Sequence, residues 1–253
     1  MSIEADGFIP GEEGDVERTG EGDPSRVVPL LWRRGTITGR SGLTVDDVVG
    51  AGASLADDGG LTAVSMRKVA DRLGRSTMAL YAHVPSRAAL VDLMVDAAFA
   101  EVAYDEAPGD WRRGVGAVVE ANRALLDRHP WLLDVDTSRP PLGPGTIGKY
   151  DAELALLAPA GLPDVEIDQA LTVLLDLVRS GVRQAATTDA GADGEWWAVA
   201  GPLLAEAMEG RDFPFASRVG QAAGQEYGAP SDPDRALRFA VEALVAGIEA
   251  RVR

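Results

Sequence analysis

The residues whose types and spacing could do chemistry lie in one short run, Arg75-Ser76-Thr77-Met78-Ala79, between Gly74 and Leu80. A guanidinium, two hydroxyls, a thioether and a methyl group are side chains that hydrogen-bond or touch base edges, and they suit a major groove about 12 Å wide. They do not suit bond-breaking. No Ser-His-Asp order or metal-ligand spacing appears, and GAGAS at 50–54 falls within a helical pattern, with no strand ahead of it as a phosphate loop requires. The 253 residues contain no cysteine and two histidines, which excludes thiolate nucleophiles, disulfides and sulfur-ligated zinc. The chemistry to expect is recognition, and an enzyme is the weaker alternative.

The elements that must hold this run are legible around it. Thr44 is a helix N-cap with Asp47 in the first turn, and Val45, Val48, Val49, Gly52 and Leu55 fall on one face. Asp57-Asp58-Gly59-Gly60 ends that helix. Ser65 caps a second, with Met66, Val69, Ala70 and Leu73 sharing a face, and Gly74 breaks it. Ser76 opens a third with Thr77, Leu80 and Val84 inward. Helix, glycine turn, short helix is a helix-turn-helix, whose second helix shows small and polar side chains outward. Pro85-Ser86 then starts a longer helix carrying Leu90, Leu93, Met94, Ala97 and Ala98.

Beyond it, helical patterns run over 111–127, 144–158, 163–184, 195–208 and from Pro233 to the end. Residues 187–194 read as a loop, and 210–232 has no clear period. The expected fold class is all-α with nine or ten helices: an N-terminal three-helix helix-turn-helix domain over 32–90 and a larger helical domain over 91–253. Residues 1–31, glycine- and proline-rich, read as a disordered acidic leader.

Charge separates the same segments. The chain carries −16 overall, divided as −6 over 1–31, +3 over 32–90 and −13 over 91–253. Affinity for nucleic acid follows local charge within a Debye length of roughly 8–10 Å, so the basic segment matters more than the acidic total. No apolar run reaches the roughly 20 residues that span a bilayer, and MSIEADGF lacks the apolar stretch of a secretory signal. A cytoplasmic protein with no membrane partner is expected.

SMRKVADRLGRSTMALYAHVPSRAALVDLM, with LTVDDVVGAGASLADDGGLTAV ahead of it, resembles the DNA-binding domain of the tetracycline-repressor (TetR) family over about residues 37–98. Ala70, Leu73-Gly74, Leu80-Tyr81-Ala82-His83-Val84 and Ser86-Arg87-Ala88-Ala89-Leu90 carry the resemblance. RHPWLLDVDTSRPPLGPGTIGKYDAELALL and AGLPDVEIDQALTVLLDLVRSG extend it to the family's tetracycline-repressor-like C-terminal class. The resemblance implies a homodimeric, sequence-specific DNA-binding regulator, a double-stranded operator, and a C-terminal domain that binds a small-molecule effector and dimerises. It places Arg67 at a base edge, Arg75, Ser76, Thr77, Met78 and Ala79 in the readout stretch, and Tyr81, His83 and Arg87 at phosphate or just after the motif. Thr44 and Lys68 become further backbone contacts, and Arg33, Arg34 and Arg40 a basic arm. Ala82 stands where the family often has a larger aromatic.

In the family's tetracycline-binding members a histidine and a threonine hold the drug's magnesium. The histidine position falls on or beside Val135 and Asp136, so neither magnesium-tetracycline nor any cofactor is expected. His129, beside Pro130, reads as a helix-end residue. Trp131, Trp196, Leu171 and Leu174 are the candidate effector-pocket side chains. The face Leu237, Val241, Leu244, Val245 and Ile248 of the last helix is the candidate dimer interface, because the corresponding helices pair across the dimer in that family. A protein-interaction module that keeps the helix-turn-helix as scaffold is the other alternative; the basic arm and the intact readout stretch argue against it.

Overall fold

A computed structural model describes residues 17–33, 42–104 and 109–252. The described residues form eleven α-helices joined by short turns, with one two-residue parallel strand pair. None of these helices is long and apolar enough to cross a membrane. The chain divides into two compact units. The first runs to Ala103 and adds Leu125–Asp151; the second comprises Tyr104–Ala124 and Ala152–Arg253. The boundary expected at residue 90 is therefore replaced by a discontinuous division, with α6 and α7 supplying residues to both units.

In the first unit, α2 (Val45–Gly59) begins with a capping box. Thr44 Oγ1 accepts from the Asp47 N–H at 3.1 Å, and Asp47 Oδ2 accepts from the Thr44 N–H at 2.8 Å. The Thr44 hydroxyl also donates to Asp47 Oδ2 at 2.7 Å, and this bond together with the one from the Thr44 N–H holds the Asp47 carboxyl below its ordinary range. Ser65 caps α3 (Met66–Leu73), which ends on Gly74 at φ +62°, a left-handed conformation that favours glycine. Ser76 caps α4 (Thr77–Tyr81), and Ser86 caps α5 (Arg87–Phe99). Helix α5 is apolar on nearly every side and buries Leu90, Val91, Leu93, Met94 and Val95 among α1, α2 and their neighbours.

The leader expected over 1–31 is corrected from residue 17 onward. Glu17–Arg18 forms β1, paired with Val135–Asp136 (β2), and Pro24–Leu31 forms α1 with Val27 and Leu31 buried. The strand pair is extended by Thr19, whose N–H donates to Asp136 O at 3.0 Å and whose hydroxyl donates to Arg139 O at 2.7 Å. The Gly20 N–H donates to Asp92 Oδ1 at 2.8 Å. Burial pushes the Asp92 carboxyl above its usual range, and that single backbone donor only partly opposes it. Residues 1–16 lie outside the described residues.

The second unit is built on the core of α6 (Trp111–Arg128), α7 (Pro144–Leu157), α8 (Asp164–Thr187) and α11 (Pro233–Arg251). Trp111, Val115, Val118, Leu156, Leu171, Leu174 and Ile248 are buried together. Two shorter expectations change here. Helix α9 (Ala190–Ala207) starts inside the segment read as a loop, capped by Asp189, and 210–232 contains α10 (Pro214–Tyr227).

Gly114 shows how closely α6 and α7 approach. A Cβ there would stand 2.5 Å from the Leu156 carbonyl oxygen, whereas one on Gly116, two residues on, would meet open space. Gly114→Ala should therefore cost roughly 1–3 kcal/mol by overpacking, lowering Tm by about 2–8 °C. Gly116→Ala should hold or raise Tm, since an exposed helical alanine is favoured over glycine by up to about 1 kcal/mol. Thermal melts of the two variants check this; equal Tm values would contradict the backbone contact.

Candidate nucleic-acid interface

Helix α4 has five residues, far fewer than a peptide helix needs to persist alone in water. Three local devices hold it. The Gly74 turn accommodates the Arg75 N–H, which donates back to Ala70 O at 2.9 Å. Ser76 Oγ accepts from the Ala79 N–H at 3.2 Å. Leu80 is fully buried, with Val84 equally buried one turn later. Fixing Leu80 inward turns the other side of α4 outward.

That outward side carries much of the expected readout set. Arg75, Ser76, Met78 and Tyr81 are exposed, and Thr77, Ala79 and His83 are half-buried. Arg67 and Lys68, in the first turn of α3, are also exposed. The Arg67 guanidinium is 88% exposed and only 4.0 Å from Asp71, a loose pair that competes little with another anion. Arg72 is turned aside to Asp58 at 2.9 Å.

Three expected contacts are placed differently. The Arg87 guanidinium points back into its own unit: Nε donates to Val64 O at 2.9 Å, Nη2 to Leu61 O at 3.2 Å, and Nη1 pairs with Glu17. It holds the start of α5 against the turn before α3. Arg33 bonds Asp46 Oδ1 at 2.6 Å and Leu30 O at 2.9 Å, so it closes α1 onto α2. The Thr44 hydroxyl is used within its own cap. Arg34 and Arg40 lie outside the described residues.

The tetracycline-repressor-like C-terminal domain family matches residues 105–252. The HTH-type transcriptional repressor DrrR1 of Streptomyces coeruleorubidus is 36% identical over 222 residues, covering 83% of this chain and 82% of that protein. This chain belongs to the TetR family of transcriptional regulators. The Streptomyces coelicolor TetR family protein ActR, solved with (S)-DNPA, superposes with a TM-score of 0.66 at 26% identity over 83% of this chain and 99% of ActR. ActR has also been solved with actinorhodin, with a TM-score of 0.62 at 25% identity over 83% of this chain and 98% of that one. Helix-turn-helix DNA binding, not catalysis, is the business of this family.

The expected effector and dimer residues are divided between the two units. Trp131 is buried in the first unit, where Nε1 donates to Asp57 Oδ1 at 2.8 Å. Leu171 and Leu174 are packed in the core of the second unit, their surface already taken, whereas Trp196 is exposed on α9. Leu237 and Ile248 are buried, and Val241, Leu244 and Val245 pack on the core beside α8. Helix α8 of the same chain covers part of this apolar stripe, and Val241, Leu244 and Val245 stay half-buried.

An ionic cluster around buried His129 in the first unit was not legible in the sequence. His129 Nδ1 lies 2.7 Å from Asp57 Oδ1 and Nε2 lies 3.2 Å from Glu101 Oε2, with Arg128 on Glu101 at 2.7 Å. Burial alone would raise the Glu101 carboxyl, but the hydrogen bonds from Arg128 and His129 outweigh it and hold it below the ordinary range. The ring thus ties the end of α2 to the end of α6. His129→Ala removes a buried ring and its bonds to two carboxylates, a loss of about 1–3 kcal/mol for hydrogen bonds to charged groups, whereas half-buried His83→Ala should cost far less. Comparing the two Tm values checks it; equal shifts would contradict the cluster's role.

Proposed function

We propose that the chain is a ligand-responsive homodimeric repressor, cytoplasmic, which binds a palindromic operator and is released by a small-molecule effector. The observation that carries this reading is the outward face of α4, with Arg75, Met78 and Tyr81 exposed and Leu80 locked beneath them. Arg67 of α3 adds a guanidinium suited to guanine N7 and O6. Arg34 and Arg40 supply phosphate or minor-groove contacts, and Lys68 and His83 supply phosphate contacts.

Dimerisation is supported by the apolar surface that the second unit leaves uncovered. Val173 of α8, Trp196, Val199 and Leu203 of α9, Phe215 of α10 and Phe239 of α11 are all exposed. Large exposed apolar side chains concentrated on these helices suit an association surface. A twofold dimer presents two copies of α4, which enter successive major grooves roughly 34–36 Å apart. The effector acts by binding better to a conformer whose recognition helices are spaced wrongly for DNA, and it needs a differential affinity of several kcal/mol to empty the operator.

Genomic-fragment selection at roughly 150 mM salt, where sequence-blind phosphate binding is weakened, tests the reading with the wild type, Arg75→Ala and Tyr81→Phe. The wild type should recover a palindrome, Arg75→Ala should relax the sequence preference by about 1–3 kcal/mol at one position, and Tyr81→Phe should weaken all sequences alike. Actinorhodin, the ligand of one ActR complex, is the first effector probe on the recovered operator. Binding that is sequence-blind and disappears with added salt would contradict the proposal.

A further inference from the structure

Met78 is the most exposed large apolar side chain among the described residues, at 75%. It lies two residues before Leu80, so at 100° per residue it stands nearly opposite the buried side of α4. Tyr81, three residues on, is its neighbour on the same outward ridge, and Arg75 is exposed in the turn just before the helix. The ridge sits in a stretch of twenty residues, 72–91, without a single carboxylate, in a chain with 40 acidic residues. A polyanion can therefore approach Met78 without meeting a like charge from its own segment.

Resting on the reading that α4 enters the major groove, we propose that Met78 is a specificity-determining residue that reads the 5-methyl group of a thymine. The chemistry follows from what each side offers. A thioether donates no hydrogen bond and accepts only weakly, so it has nothing to pair with purine N7, with the exocyclic amines or with guanine O6. The thymine methyl is the one apolar group on the major-groove edge. Its burial against Met78 removes both from water, and the unbranched, polarisable side chain adapts to the contact. Cytosine at the same place would present an amine with no good acceptor, leaving a buried donor unsatisfied. Each half-site then requires thymine at one position, set by Met78 and flanked by the positions that Arg75 and Tyr81 meet.

The test uses the full chain and the operator recovered by selection, with deoxyuridine replacing thymine at one position at a time in both half-sites. Deoxyuridine removes the methyl and nothing else. At one position wild-type affinity should fall about fourfold per half-site, the factor for one buried methyl group. Met78→Gln, nearly isosteric and on an exposed site, should bind the thymine and uracil operators equally, as should Met78→Ala. The proposal is overturned if the recovered half-site has no required thymine, if no deoxyuridine substitution weakens wild-type binding, or if Met78→Gln keeps the full penalty. In each of those cases the wild type still prefers its operator over a scrambled duplex, so the DNA-binding reading stands. Loss of that preference itself would overturn both.

Discussion

The burial of Leu80 is the constraint on which the outward face of α4 depends. A five-residue helix has too few internal hydrogen bonds to offset the entropy of nucleating it, so α4 exists because its neighbours make it exist. Leu80 and Val84 anchor it in the core of the first unit, Ser76 caps one end, and the left-handed Gly74 sets the angle at which the chain arrives from α3. Every outward residue takes its direction from that anchor. Recognition through a helix this short needs such a rigid base, because a small error in helix direction grows along the side chains to their tips.

The rest of the first unit reinforces the base. The segment from Glu17 to Trp32 runs along α5 and the 135–142 stretch, held by Thr19 on Asp136 and Arg139, by Gly20 on Asp92 and by Trp32 Nε1 on Leu142 O at 2.8 Å. Arg87 and the Asp57–His129–Glu101 cluster join α5 and α2 to segments more than twenty residues away. In the second unit a comparable polar knot lies in apolar surroundings: Tyr104 Oη and Asn122 Nδ2 both donate to buried Glu153 Oε1, at 2.9 and 2.7 Å. Burial and the Glu153 carboxylate push the Tyr104 hydroxyl well above its ordinary range. Satisfied networks of this kind rigidify what they join, and breaking one member exposes the others to the full cost of burial.

What could be read from the sequence was what is local. The caps Thr44, Ser65, Ser76 and Ser86 and the turn at Gly74 each act within four residues, and each stands where its pattern placed it. The outward face of α4 followed from the same periodicity. Partners distant in sequence were not legible. Arg87 reads as a DNA contact from its place as a basic residue just after the motif, while its acceptors, Leu61, Val64 and Glu17, lie 23 to 70 residues away. The stripe Leu237–Ile248 announced a face to be covered but not which helix would cover it. Helix α1 was missed: Asp23 before Pro24, with Val27 and Leu31 four apart, is a helix start set among the glycines and acidic residues that read as leader.

The central claim is that α4 is a major-groove reader held in place by Leu80. The most direct measurement replaces purines of the recovered operator, one at a time, by their 7-deaza analogues, which lack the N7 acceptor of the major-groove edge. The account predicts weakened binding at two clusters of positions about one helical turn apart, one for each subunit. Operator binding that persists unchanged through every 7-deaza substitution would contradict it.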